Sequence, residues 1–279
     1  MTAPTETGAA TERGFGPFVT LRVLIRPDGT IERWESRRHR KHLAASRSGS
    51  TWWAPRDRDW WIGALFAVGS VLFGLGAVPA YANAVGAWPD AVTFFIGSLF
   101  FTSAGFLQYR EAVDAAPKRP GAVRRKVFVF LPRQIDWLAT GVQLIGTLSF
   151  NVSTAAAIWS APGSPQARHH VWRPDILGSA CFLVASALAW FEACHGWAAW
   201  RPRSLAWWIT AVNLAGSVAF GVSAVASYVV PGTTQLLSVP LTNLGTLVGA
   251  VCFLAGAVVL LFERTEPLPA VSPAIPAPS

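Results

Sequence analysis

The chain is poor in charge where charge would be most informative. Only 14% of its 279 residues are Asp, Glu, Lys or Arg, against about a quarter in an average soluble domain. None of these falls deep inside the six long apolar runs described below. Ionisable residues within a membrane normally mark proton relays and ion-coupled sites, so no such site is legible here. Cysteine is scarce as well. Cys181, Cys194 and Cys252 show no CxxC spacing and form no even set, which removes a recognisable zinc motif or disulfide framework and leaves them as small apolar packing residues. Histidines spaced along a helix to hold haem are missing, and the adjacent pair His169-His170 would project to different sides of a helix. No nucleophile–base set and no Gly-rich phosphate loop is visible. The expectation from these absences is a protein that is not an enzyme and uses no cofactor or metal. The first 17 residues carry no apolar h-region, so the expectation is that no cleavable signal peptide precedes the first apolar run.

What the chain does have is apolar length. Runs at Trp61–Ala82, Ala91–Gln108, Trp137–Trp159, Ile176–Cys194, Trp207–Val230 and Leu241–Phe262 each match the roughly 20 helical residues needed to cross a hydrocarbon core. Helix is the only conformation that satisfies the backbone of a single span in lipid. Lys and Arg number 21 in the first, third, fifth and last flanking segments and 2 in the alternate ones. Under the positive-inside rule, this predicts a multi-pass protein of the inner (plasma) membrane with both termini cytoplasmic.

The runs also repeat. Trp60, Gly69-Ser70 and Phe73 share their spacing with Trp137, Gly146-Thr147 and Phe150, and with Trp207, Gly216-Ser217 and Phe220. The even-numbered runs share another pattern: Gly97-Ser98, Gly178-Ser179 and Gly249-Ala250 are followed by Phe101, Phe182 and Phe253, by a small residue seven after the glycine, and by Glu111, Glu192 and Glu263 fourteen after it. Self-similarity at fixed offsets marks a repeat architecture. The predicted fold class is all-α: a polytopic membrane protein with six transmembrane helices, arranged as three parallel helical-hairpin repeats over residues 60–111, 136–194 and 205–263. Gly69, Gly146 and Gly216 fall near mid-membrane, where small residues let helices approach closely, and the expected role of these and of Ser70, Gly97, Ser98, Gly178 and Gly249 is helix packing.

Before the first repeat, residues 1–17 read as a disordered leader and 18–59 as a cytoplasmic β-hairpin plus a basic juxtamembrane segment. Val19, Leu21, Val23 and Ile25 alternate with polar residues, and Pro27-Asp28-Gly29 supplies turn chemistry. An isolated hairpin is marginal in water, so it should dock on the membrane surface, a partner or another copy. Arg37, Arg38, Arg40 and Lys41 form the expected lipid-facing basic patch, attracted to anionic lipids of the cytoplasmic leaflet. A nucleic-acid partner is not expected, because no folded basic module surrounds them. A protein partner or homo-oligomer stays open. Residues 264–279 read as a disordered Pro/Ala tail.

Threefold disposition would gather Glu111, Glu192 and Glu263 into a ring at the cytoplasmic face, with Arg110, Arg201, Arg203 and Arg264 near enough to neutralise them. The ring reads as an interfacial anchor of exposed ion pairs or as a cation-attracting mouth. Gln143 and Asn213 share one repeat position, three before the glycine, and read as interhelical glue or as the start of a polar path. The two functional expectations are a structural or interaction module and, as the alternative, a small-solute or cation channel or transporter through a pseudo-threefold bundle.

The stretches Trp61–Phe73 (WIGALFAVGSVLF) and Phe94–Gln108 (FFIGSLFFTSAGFLQ) resemble the YrhK-like domain family of small bacterial membrane domains, and the later pairs resemble it more loosely through Gly-Ser/Thr-x-x-Phe. The basic front and Trp52-Trp53 look like related actinobacterial membrane proteins with several such pairs. The resemblance implies an α-helical integral membrane protein and supplies no catalytic residues.

Overall fold

The computed structural model describes residues 10–25, 31–44, 52–115, 129–160, 164 and 167–263. Six helices are long and apolar enough to cross a membrane: α2 (Arg58–Gly76), α4 (Ala87–Ala115), α5 (Ile135–Trp159), α6 (Arg173–Cys194), α7 (Leu205–Ala226) and α8 (Val239–Glu263). A short α3 (Pro79–Val85) links the first two, and a π-helical turn at Arg168–Trp172 leads into α6. The first span ends at Gly76 rather than at Ala82 because Pro79 cannot continue a helix through its missing N–H. All six bury at most half of their spanning stretch and expose Val68, Ile96, Leu148, Val184, Val222 and Val251 on their outer faces. A collar of exposed aliphatic side chains is what a lipid environment accepts.

Packing runs from α2 to α4, α5, α6, α7 and α8, and closes from α8 back onto α2. The contacts within the pairs α2–α4, α5–α6 and α7–α8 are built on glycine. A Cβ on Gly97 would lie 2.9 Å from Phe73, one on Gly146 2.8 Å from Phe182, and one on Gly249 2.8 Å from Phe220. The phenylalanines that occupy this space meet on the bundle axis. Phe101, Phe182 and Phe253 contact one another with centroids 5.5–6.1 Å apart. Phe73, Phe150 and Phe220 do the same at 6.0–6.3 Å. Within each pair the two rings lie 5.2–5.6 Å apart, inside the favourable range for edge-to-face aromatics. Six rings therefore form a filled prism across the middle of the bundle.

Hydroxyls join neighbouring pairs. Ser98 meets Thr154 at 3.0 Å between α4 and α5, and Ser186 meets Ser217 at 2.8 Å between α6 and α7. The α8–α2 seam differs: Ala250 stands at the position of Ser98 and Ser179, and the buried Ser70 hydroxyl has no partner among the described residues.

The basic end of the bundle carries a small domain. Strands β1 (Ala10–Phe15), β2 (Phe18–Ile25) and β3 (Ile31–Glu35) form an antiparallel sheet in that order, followed by helix α1 (Ser36–Ala44). Residues 10–15, expected in the leader, pair with β2 through a register shift at Arg13/Gly14. Gly14 permits the bulge, since a Cβ there would collide with the Phe18 carbonyl. Alternation is weak in ATERGF, so a strand that exists by pairing alone left little trace in the sequence. The turn at 27–29, residues 1–9 of the leader and the tail from 264 lie outside the described residues.

The sheet docks on the chain's own bundle rather than standing free. Phe15 stacks on Phe191 at 4.1 Å and meets Trp197 edge-on at 4.8 Å. Buried Thr20 sits 2.9 Å from Nδ1 of His195. His195 caps α6 in the left-handed conformation.

Candidate functional site

Helix α1 is short and strongly basic, and its residues 37, 40 and 41 fall on one face by the i, i+3, i+4 rule. That face is laid across the end of the bundle, where α4, α6 and α8 each present a glutamate. Arg37 donates through Nε and Nη2 to both oxygens of Glu263 at 2.8 and 2.9 Å. Arg40 donates to both oxygens of Glu192 at 3.2 and 3.3 Å and lies 3.0 Å from Asp136 and 3.5 Å from Glu111. Lys41 donates to Glu111 at 3.0 Å and lies 3.5 Å from Asp59. Ser36 adds a hydrogen bond to Glu192 at 2.6 Å.

This arrangement departs from two expectations. Arg37, Arg40 and Lys41 do not face lipid: they are turned onto the protein, and Arg40 is buried. Arg38, half-buried on the flank of that face, forms no ion pair with a described residue. The glutamates in turn are not exposed pairs served by arginines at the helix ends. Glu111 and Glu192 are buried, and Arg110 is occupied by Asp114 one turn away at 2.8 Å, while Arg264 lies outside the described residues. A carboxylate near a helix C-terminus opposes the macrodipole, and the cations of α1 answer both the side chains and the helix ends.

Burial of these cations works to lower their pKa values, and the carboxylates outweigh it. Glu263 holds Arg37 above the ordinary arginine value. Glu192, Asp136 and Glu111 hold Arg40 well above it. Asp59 and Glu111 hold Lys41 above the usual lysine value. At the sheet contact the balance is opposite: burial, then the nearby Arg201, lowers the pKa of His195, and Glu35 only partly offsets this.

Beneath α1 lies a cavity of about 60 Å³. Its walls include the amides of Gln108, Gln143 and Asn213 and the carboxylate of Glu111, and its apolar side includes Phe66 and Phe253. Gln143 and Asn213, paired by their repeat position, thus line one space; Phe66 occupies the equivalent position on α2. Gln108 was missed, although it stands three residues before Glu111 and so one turn below it on the same face. Asn213 lies flat over Gly256, where any Cβ would strike its Oδ1. Gly256, the small residue seven after Gly249, therefore makes room for this amide. The carbonyl oxygens of Gln108 and Asn213 and one oxygen of Glu111 are buried without a hydrogen-bond partner among the described residues.

Below the cavity the axis is closed by the six phenylalanines. Among the described residues no three His, Cys, Asp or Glu side chains are placed to hold a metal ion, and Cys181, Cys194 and Cys252 are free thiols. Comparison with protein-family models, curated proteins and solved structures finds no match to this chain.

Proposed function

We propose that this chain is an inner-membrane structural or interaction module without catalytic activity. In this reading it consists of three parallel helix-pair repeats, YrhK-like in pattern, with both termini cytoplasmic. The sheet and α1 form a cap on the cytoplasmic end, held by one cation–glutamate pair to each repeat. The observation that carries the reading is that the axis is closed twice, by α1 over the glutamates and by the filled phenylalanine prism beneath the cavity. Ring contacts between all three helix pairs on the axis weigh against a route for an ion. Arg38 and the exposed Trp52 and Trp53 support contact of the cap with anionic headgroups.

The second reading, a channel or carrier for a small solute or cation, is favoured by the polar cavity that Gln143 and Asn213 line. Reconstitution into sealed vesicles decides between them. The module reading expects fluxes of potassium and of methylammonium equal to those of protein-free vesicles, for the wild type and for Phe101→Ala. A saturable flux in the wild type overturns it in favour of the second reading.

A further inference from the structure

The chain enters α2, α5 and α7 through the same corner three times. Trp53-Ala54-Pro55-Arg56, Phe130-Leu131-Pro132-Arg133 and Trp200-Arg201-Pro202-Arg203 each set an aromatic residue two before a proline and an arginine directly after it. A backbone hydrogen bond closes each turn: Asp57 N–H donates to the Ala54 carbonyl at 2.9 Å, Gln134 to Leu131 at 3.0 Å and Ser204 to Arg201 at 3.0 Å. Proline suits the second place of such a turn, because its ring already fixes the required φ. The helix begins two residues beyond the arginine in every case, at Arg58, Ile135 and Leu205. The aromatic residue folds back edge-on against a tryptophan of the first helical turn: Trp53 on Trp60 at 4.9 Å, Phe130 on Trp137 at 5.5 Å and Trp200 on Trp207 at 5.1 Å. Two of the corners are braced further, since the indole N–H groups of Trp61 and Trp208 donate to the Pro55 and Pro202 carbonyls at 2.9 Å.

Each corner leaves one cation and one ring unused. Arg56, Arg133 and Arg203 are exposed and form no ion pair or hydrogen bond with a described residue. The acids beside them are turned inward: Asp57 and Asp59 are buried, and Asp136 pairs with Arg40 at 3.0 Å. Trp53, Phe130 and Trp200 are 57%, 79% and 79% exposed. Because α2, α5 and α7 alternate with α4, α6 and α8 around the ring, the three corners are spread along the rim of its basic end. We infer that each corner binds one anionic phospholipid of the leaflet at that end. The guanidinium takes the headgroup phosphate, whose oxygens match its paired N–H donors. The exposed ring lies against the glycerol and the start of the acyl chains, the depth at which aromatic side chains settle in a bilayer. The inference rests on the membrane reading and not on a closed axis, so it stands whichever way the vesicle experiment falls.

The test titrates the full-length protein in detergent with dioleoylphosphatidylglycerol or dioleoylphosphatidylcholine, which share their acyl chains, and counts the retained lipids by native mass spectrometry. The expected result is an excess of three phosphatidylglycerols over phosphatidylcholine, whose choline cation opposes the arginine. Arg56→Gln, Arg133→Gln and Arg203→Gln should each remove one lipid of that excess, and the triple variant should bind both lipids alike. Arg173→Gln, at an exposed arginine of the opposite end, should change nothing. Phe130→Ala keeps its arginine and should lose its lipid at lower collisional activation. Equal binding of the two lipids by the wild type, an undiminished excess in the triple variant, or the same loss in Arg173→Gln overturns the inference. Unchanged retention in Phe130→Ala overturns the role given to the ring. Melting temperatures in lipid-free detergent identify any variant that fails to fold, and the wild-type comparison of the two lipids then decides alone.

Discussion

Replacing Arg40 with methionine tests the docking of α1 most directly. The substitution keeps the length and apolar stem of the side chain and removes one charge. It leaves Glu192 with Ser36 as its remaining hydrogen-bond donor in the cluster and deprives Asp136 of its ion pair. Breaking a buried ion pair by removing one partner costs about 3–5 kcal/mol, because the other charge stays behind unpaired. At about 1.4 kcal/mol per tenfold, the docked state of α1 should lose roughly two to three and a half orders of magnitude in its equilibrium. Hydrogen–deuterium exchange of the peptide spanning residues 31–44 reads this directly as lost protection. Arg38→Met, on the flank of α1 and without an ion pair to a described residue, should cost no more than about 1 kcal/mol, the usual size of a single substitution. Adding Glu192→Gln to Arg40→Met should recover part of the loss, since removing both charges is far less costly than stranding one. Protection in Arg40→Met equal to that in Arg38→Met would refute the argument that α1 is held by buried pairs.

Two further outcomes follow from the geometry. Gly146→Ala brings a Cβ to 2.8 Å from Phe182 and 2.9 Å from Cys181 and should cost about 1–3 kcal/mol, the usual range for overpacking. Gly221→Ala has nothing within 4 Å and should melt at or above the wild-type temperature. The sheet contact should weaken as pH falls. The pKa of His195 is lowered in the folded protein by burial and by Arg201, and Arg33 acts with them while Glu35 and Glu192 oppose. The unfolded state therefore binds more protons, and stability rises with pH. The contribution is complete above the ordinary histidine pKa of about 6.5 and is lost as pH falls through the lower folded value. Exchange of β1 and β2 should accelerate over that window in the wild type and not in His195→Gln; acceleration on raising the pH would reverse the sign.

Much of the bundle was legible because the signals are local and periodic. An apolar run long enough to cross a membrane can be little else, and all six runs are helices of spanning length and composition. The recurring Gly and Phe could be aligned by counting, and they meet in the structure as glycine beside phenylalanine within each helix pair. Gln143 and Asn213 could be linked by repeat position alone. Gln108 could have joined them, had the single turn separating it from Glu111 been followed down the same face. β1 could not be found this way, because its strand character comes from pairing with β2 and not from its own alternation.

The sequence by itself therefore determined the number and approximate place of the spans and the positions where small and aromatic residues recur, since hydrophobic length and helical period depend only on neighbours along the chain. Tertiary structure alone decided what the charges do. A basic run before a membrane domain reads the same whether it faces headgroups or carboxylates. Arg37, Arg40 and Lys41 found their partners at Glu263, Glu192 and Glu111, as many as 226 residues away. Such partners are brought together by the closing of the six-helix ring, and no local pattern records which cation will meet which acid.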